Sequence, residues 1–483
     1  MPNSASSNWK LLQNIASLVG GKAFISLSRL LITLIVVRLA GTEVLGQYVV
    51  VMSILYIGEW LVDFGFTDIA VRNISQSHDK RKAILDAFSL IKLFQAALAF
   101  GAVILAIDLL GYPELTKAVY IGGAGIVFYG GAQIYRVSCR VDMTMHKDMM
   151  SESFGVLVML ILALLLSIGE ANVPAFVACY AISRFIYFTV NLVLGSGVYR
   201  PKLKMHYRGN VNLLLRQATP LGIAGITVAC YDAIIPLVLS KMVSMEAVAI
   251  YSVAIRLVFP IIIVTHAIGN VFYTPLSNYY STNKKLFAAT QQNLVEIVVL
   301  VSCLFFCLLY SSSDFIVSFF GESMAESARI LRALSWAILA RALSIAMASP
   351  IIICGGQRKT MWITITVMIS SAFLVSYLVP IYGINGAVGA YLFVELVITA
   401  VPVTYLSMRM ANYSLSWLPV LKLFFAAVTA VTAVSFLPIN GSLIGGIVCL
   451  ISFVLVTFLV GGVSKEKLDS VIVLVKNRSD AKS

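Results

Sequence analysis

Long apolar runs broken by short polar corners follow one another along the whole chain. Most runs are about 20 residues or longer, the length an α-helix needs to cross the hydrocarbon core of a bilayer. The pattern predicts an all-α polytopic membrane protein with about fourteen transmembrane helices. The first six runs are 11–39, 47–66, 83–110, 115–137, 153–168 and 173–195. The second six begin with 213–242, 248–273 and 286–310. They continue with a run ending near 354, with 361–379, and with a run ending near 406. Two more, 420–437 and 443–463, close the pattern. The run 11–39 is too long for a signal-peptide core and no A-x-A-like cleavage site follows it, so it reads as a retained helix.

Composition agrees with this reading. Of 483 residues, 60% are hydrophobic and 12% charged, and the mean hydropathy is +0.93. A soluble globular domain of this size has neither property. Net charge is +13, which on a soluble protein would point to nucleic acid. Here the basic residues fall on alternate corners: Arg72, Lys80, Arg81 and Lys82; Arg140 and Lys147; Lys284 and Lys285; Arg358 and Lys359; Arg409. The opposite corners carry chiefly Lys117 and Arg329. The positive-inside rule then places both termini in the cytoplasm and requires no nucleic-acid partner. The most basic connector, with Arg200, Lys202, Lys204 and Arg208, divides the chain into bundles 1–198 and 199–412, leaving 413–483 as two added helices and a basic tail.

The corners 38–48 and 241–251 align at an offset of 203, which superposes Arg38 on Lys241, Glu43 on Glu246 and Tyr48 on Tyr251. An even number of helices lies between them, so the expectation is a parallel internal repeat about an axis along the membrane normal, with a site between the two bundles.

Charges inside the runs carry the candidate chemistry. Lys22 and Arg29 share one face of the first helix, followed by a hinge at 41–46; Glu59 and Asp63 share one face of the second. Arg184, Arg256 and Arg341 also lie deep in runs, whereas Arg136 and Arg216 lie nearer the cytoplasmic ends, where they could snorkel to headgroups. Acidic counterparts include Asp232, Glu296 and Glu395, and His266 joins them. Charges at this depth are costly and usually mark pathways. Arginine is permanently charged and grips phosphate with a fork of donors. Arg29, Arg256, Arg341, Arg184, Lys22, Arg136 and Arg216 are therefore candidate cavity cations for an anionic, phosphate-bearing substrate. Internal ion pairing that fixes helix register is the alternative. Glu59, Asp63 and Asp232 are candidates for proton or sodium coupling, or, for Asp63, a backbone cap near Gly65.

Other chemistries lack their residues. There is no GxxxxGK[ST] loop and no HExxH. The seven cysteines form no CxxC pair and read as packing residues, so no metal or cofactor is expected. The longest outer corner, 311–326, offers only Asp314, Glu322 and Glu326 in no recognisable arrangement. The expectation is a transporter with no catalytic residues. Pro220, Pro236, Pro260, Pro350 and Pro402 interrupt runs, as they do in many membrane helices.

The hinge 41–48, Asp63-Phe64-Gly65-Phe66 with Arg72 beyond it, Gly321-Glu322, Gly355-Gly356-Gln357-Arg358-Lys359 and the stretch 380–387 occur in an order that resembles a known family. It is that of the Wzx-type oligosaccharide-lipid flippases, or polysaccharide biosynthesis proteins, of the multidrug/oligosaccharidyl-lipid/polysaccharide exporter (MOP) superfamily. The resemblance implies a multi-pass protein of a bacterial inner membrane that moves an undecaprenyl-diphosphate-linked glycan unit between leaflets. It implies alternating access in a cationic cavity, coupled to an ion gradient. The partners it implies are membrane lipids and the polysaccharide polymerase and chain-length regulator of the same pathway. A drug/cation antiporter of the superfamily, or a lipid-linked polysaccharide polymerase or ligase, are the other readings. The in-span arginines argue against the first and the short outer corners against the second.

Overall fold

A computed structural model describes residues 4–76, 81–195 and 208–461. Its described residues are helical and joined by short turns, with no strand. The protein is thus an all-α polytopic membrane protein with roughly a dozen long apolar helices. Eleven segments among the described residues are long and apolar enough to cross a membrane. The count differs from fourteen for particular reasons. The first two expected helices form one element, α1 (Ser4–Asp63), whose helical geometry fails at Gly41 (φ 86°). That conformation suits a residue without Cβ, and it lies in the expected hinge. The shorter α16 (Leu443–Leu459) and the glycine-rich α4 (Thr116–Val141) are helical but fall outside the eleven.

The described chain gathers into two compact units. One holds the residues up to Pro260 together with Arg358–Val394; the other holds Ile261–Gln357 together with the residues from Glu395 on. In the first unit, α1 packs against α3 (Arg81–Leu110), α4, α5 (Met145–Leu165) and α7 (Arg208–Met242). The helix α6 (Val173–Gly195) fills the groove between α4 and α5. The short α2 (Phe66–Gln76) follows a break at Phe64 and Gly65, both at positive φ. Phe66, Ile69 and Ile74 of α2, Leu85 and Phe88 of α3, and Leu214 of α7 form a buried apolar cluster there. Expected helix 5 begins earlier than its apolar pattern suggests: α5 starts at Met145, so Asp148 and Glu152 are helical rather than in a corner or at its end.

The second unit is organised on α9 (Lys284–Ser311), which packs against α11 (Glu326–Ile353), α15 (Trp417–Ser435) and α16. The Gln292 amide bonds the backbone of Ser416 in both directions, at 2.9 Å each way. At the other end of α9 the Ser311 carbonyl accepts from Gly441 N at 2.9 Å. The added C-terminal helix pair is thereby fastened at both ends. α14 (Val401–Ala411) follows a π-helical stretch, Val394–Ala400, that contains Glu395.

Candidate functional site

The helical repeat of α1 places Lys22 and Arg29 on one exposed face. One turn beyond Arg29, the buried Thr33 donates to the Arg29 carbonyl at 2.9 Å. Arg256, on α8 (Met245–Thr282), donates from its guanidinium to the same Thr33 hydroxyl. The charges of Arg29 and Arg256 act on each other and on the buried Tyr48 phenol. Among the described residues, neither arginine has a carboxylate at ion-pair distance. The Arg256 guanidinium thus rests on a hydroxyl that cannot neutralise it, one helical turn from the exposed Arg29, and two such charges without a carboxylate suit the holding of an anion.

The other in-span arginines of this unit are engaged. Arg184 on α6 meets Glu59 at 2.6 Å, and the Tyr180 hydroxyl donates to the same carboxylate oxygen at 2.7 Å. The second arm of Arg184 reaches Glu152 at 3.6 Å. Glu152 also holds Arg136 at 2.8 Å, Arg136 holds Asp148 at 2.9 Å, and Tyr187 donates to Asp148 at 2.8 Å. Tyr129 and Tyr180 present ring faces to Arg184 at 4.9 and 5.3 Å. The result is a buried ladder across α1, α4, α5 and α6, carrying three carboxylates against two guanidinium groups.

Glu59 and Asp63 share a helix face yet have different partners. Asp63 accepts from the Thr67 hydroxyl at 2.8 Å, and its backbone carbonyl accepts from the buried Lys92 ammonium at 3.0 Å. Lys92 also bonds the Val62 carbonyl, and Gln95, one turn along α3, donates to the Leu61 carbonyl at 3.2 Å. The last carbonyls of α1, orphaned by the break at Phe64 and Gly65, are thus satisfied from α3. Asp232 is half-buried on α7, where its charge acts on Tyr56. Arg216 is exposed near the start of α7, beside Gln217, which accepts from Asn73 at 3.0 Å. In the second unit, Arg341 pairs with the buried Glu395 at 2.9 Å.

Sequence reasoning missed Glu152, Asp148 and Lys92. The signal for the first two was their i, i+4 spacing, hidden in the polar run 145–152. The signal for Lys92 was a lone ammonium in an otherwise apolar run. Among the described residues no group of His, Cys, Asp and Glu could hold a metal, and all seven cysteines are free.

A family model described as "Polysaccharide biosynthesis protein" matches residues 35–329, more than half of the chain. No curated protein matches the chain. Among solved structures, a "Lipid II flippase MurJ, inward closed conformation" is similar with a TM-score of 0.74 at 13% identity, over 92% of this chain and 98% of that one. An inward-facing multidrug resistance MATE family transporter of the MOP superfamily gives 0.64 at 15%, over 81% and 98%. A MOP superfamily transporter from Pyrococcus furiosus, described as having a binding pocket of reverse polarity, gives 0.62 at 13%, over 83% and 96%. The chain shares the fold of these solved transporters of the MOP superfamily and of the MurJ flippase.

Proposed function

The chain belongs to the polysaccharide biosynthesis protein family, and from that premise we propose that it is a flippase for an undecaprenyl-diphosphate-linked oligosaccharide. It moves the unit from the cytoplasmic to the periplasmic leaflet of a bacterial inner membrane, with both termini cytoplasmic. The observation that carries this reading is the pair Arg29 and Arg256: the Arg256 guanidinium bonds the hydroxyl of Thr33, one turn from Arg29 on α1, and neither arginine has a carboxylate at ion-pair distance among the described residues. An in-span charge is retained where it meets water or a ligand of opposite sign. A diphosphate offers two anionic groups to two donor forks. Lys22 extends the same face of α1 towards the cytoplasmic end.

In this reading Arg184, Arg136 and Arg341 are held in reserve by carboxylates, and Arg216 attracts the headgroup at the cytoplasmic side. Glu59, Asp63 and Asp232 are the candidates for coupling to a proton or sodium gradient. Bundles 1–198 and 199–412 are the two lobes of alternating access. The backbone of Gly46 lies against the Met245 carbonyl, so the two corners matched by the 203-residue offset meet, which supports a two-fold relation. The polymerase and chain-length regulator of the same pathway are the proposed partners.

The test is to follow lipid-linked repeat units in cells deleted for the gene. Full-length units should accumulate on the cytoplasmic leaflet, and neither Arg29→Ala nor Arg256→Ala, expressed normally, should restore export. Single units that reach the periplasm and stay unpolymerised would mean a polymerase instead.

A further inference from the structure

Glu152 stands between the two sets of arginines. From α4 it is faced by Arg136 at 2.8 Å and from α6 by Arg184 at 3.6 Å. From α1 the charges of Arg29 and Lys22 also act on it. Its side chain keeps 12% of its exposure, so it is neither sealed in nor free. Arg184 is less well satisfied than its burial requires. It is 5% exposed, its contact with Glu152 is long, and its buried Nε has no acceptor among the described residues. A buried donor without an acceptor is costly, and here it belongs to an arginine that Glu59 holds closely and Glu152 only at long range.

We propose that Glu152 is the resident anion of this cluster, a carboxylate that holds Arg136 and Arg184 until a diphosphate headgroup displaces it. A phosphate oxygen brought in by Arg29 has Arg184 as its next strong donor, through the Nη1 arm that Glu152 holds only at 3.6 Å. Glu152 then retains Arg136, which Asp148 also holds at 2.9 Å, so no arginine is left unpaired in either state. Competition of this kind weakens ground-state binding and eases release of the headgroup on the far side. Glu152 is a positioning residue and does not itself touch the substrate in the loaded state. The inference rests on the diphosphate reading above and adds a named competitor to it.

The experiment is equilibrium binding of undecaprenyl diphosphate to the purified full-length protein in nanodiscs, with export measured in parallel. E152Q removes the competing charge and should bind on the order of tenfold more tightly, a fraction of the bare Coulomb energy of a close charge pair once screening is counted, while exporting more slowly. E152D, with its carboxylate withdrawn by one methylene, should fall between wild type and E152Q, and it covers the case in which E152Q does not fold. Asp148→Asn removes a ladder carboxylate that holds Arg136 and does not contact Arg184, and should tighten binding clearly less than E152Q does. If wild type binds but the Glu152 variants bind equally or more weakly, Glu152 only fixes helix register and the proposal is wrong, while the diphosphate reading stands. If none of the proteins binds undecaprenyl diphosphate, the diphosphate reading fails and this inference falls with it.

Discussion

Replacing Arg184 by Met tests whether the ladder in the first unit is a true buried ion-pair network. The side chain is 7% exposed and its main partner, Glu59, 10%. Removing one member of a buried pair strands the other and costs about 3–5 kcal/mol. The Tyr180 hydroxyl still donates to Glu59, and a hydrogen bond to a charged group returns about 1.5 kcal/mol of that. Glu152 loses little, because Arg136 still holds it. The expected net loss is therefore about 1.5–3.5 kcal/mol, a factor of roughly 10 to 400 in the folding equilibrium. The double variant Arg184→Met, Glu59→Gln leaves no stranded charge and should lie within about 1 kcal/mol of wild type. Steric-trap or reversible detergent unfolding of the full chain measures both. A single-variant loss below about 1 kcal/mol, or a double variant as unstable as the sum of the singles, would refute the network.

Three further outcomes follow from the same geometry. Lys92→Met should cost about 1–3 kcal/mol, because it leaves the carbonyls of Val62 and Asp63 without their donor; the same unfolding assay reads it, with faster hydrogen exchange expected in α2. Gly222→Val should slow export and raise thiol reactivity of a cysteine placed at Thr67, because a Cβ there would overlap the Phe64 ring and push α7 off the break at Phe64 and Gly65; unchanged reactivity and export would show that α7 does not need this close approach. Arg29→Lys should keep partial export where Arg29→Ala does not, since the charge survives and the fork is lost; equal activities would mean that the fork is irrelevant.

Several of these features could be read from residue order alone, and others could not. The hinge near Gly41 was legible because an apolar run of that length must turn and glycine permits the φ of 86° found there. The start of α5 was not legible, because 145–152 is polar enough to imitate a corner, and its charges are tolerable in a helix only because Arg136 and Arg184 meet them. Which arginines are paired was equally hidden. Arg29 and Arg184 are both deep arginines in sequence, but the partner of Arg184 comes from a distant helix, and Arg29 differs only in having no such neighbour among the described residues. Glu59 and Asp63 show the limit of helical spacing: it placed them on one face, while their separate partners on α6 and α2 depend on packing.

The most direct measurement is leaflet exchange of an undecaprenyl-diphosphate-linked oligosaccharide in proteoliposomes, read by accessibility of the glycan to an external enzyme. Exchange should be faster than in protein-free vesicles and should fall tenfold or more, roughly the value of one charge-assisted contact, in the Arg29→Ala, Arg256→Ala double variant. Exchange at the protein-free rate, or a double variant as fast as wild type, would contradict the flippase reading.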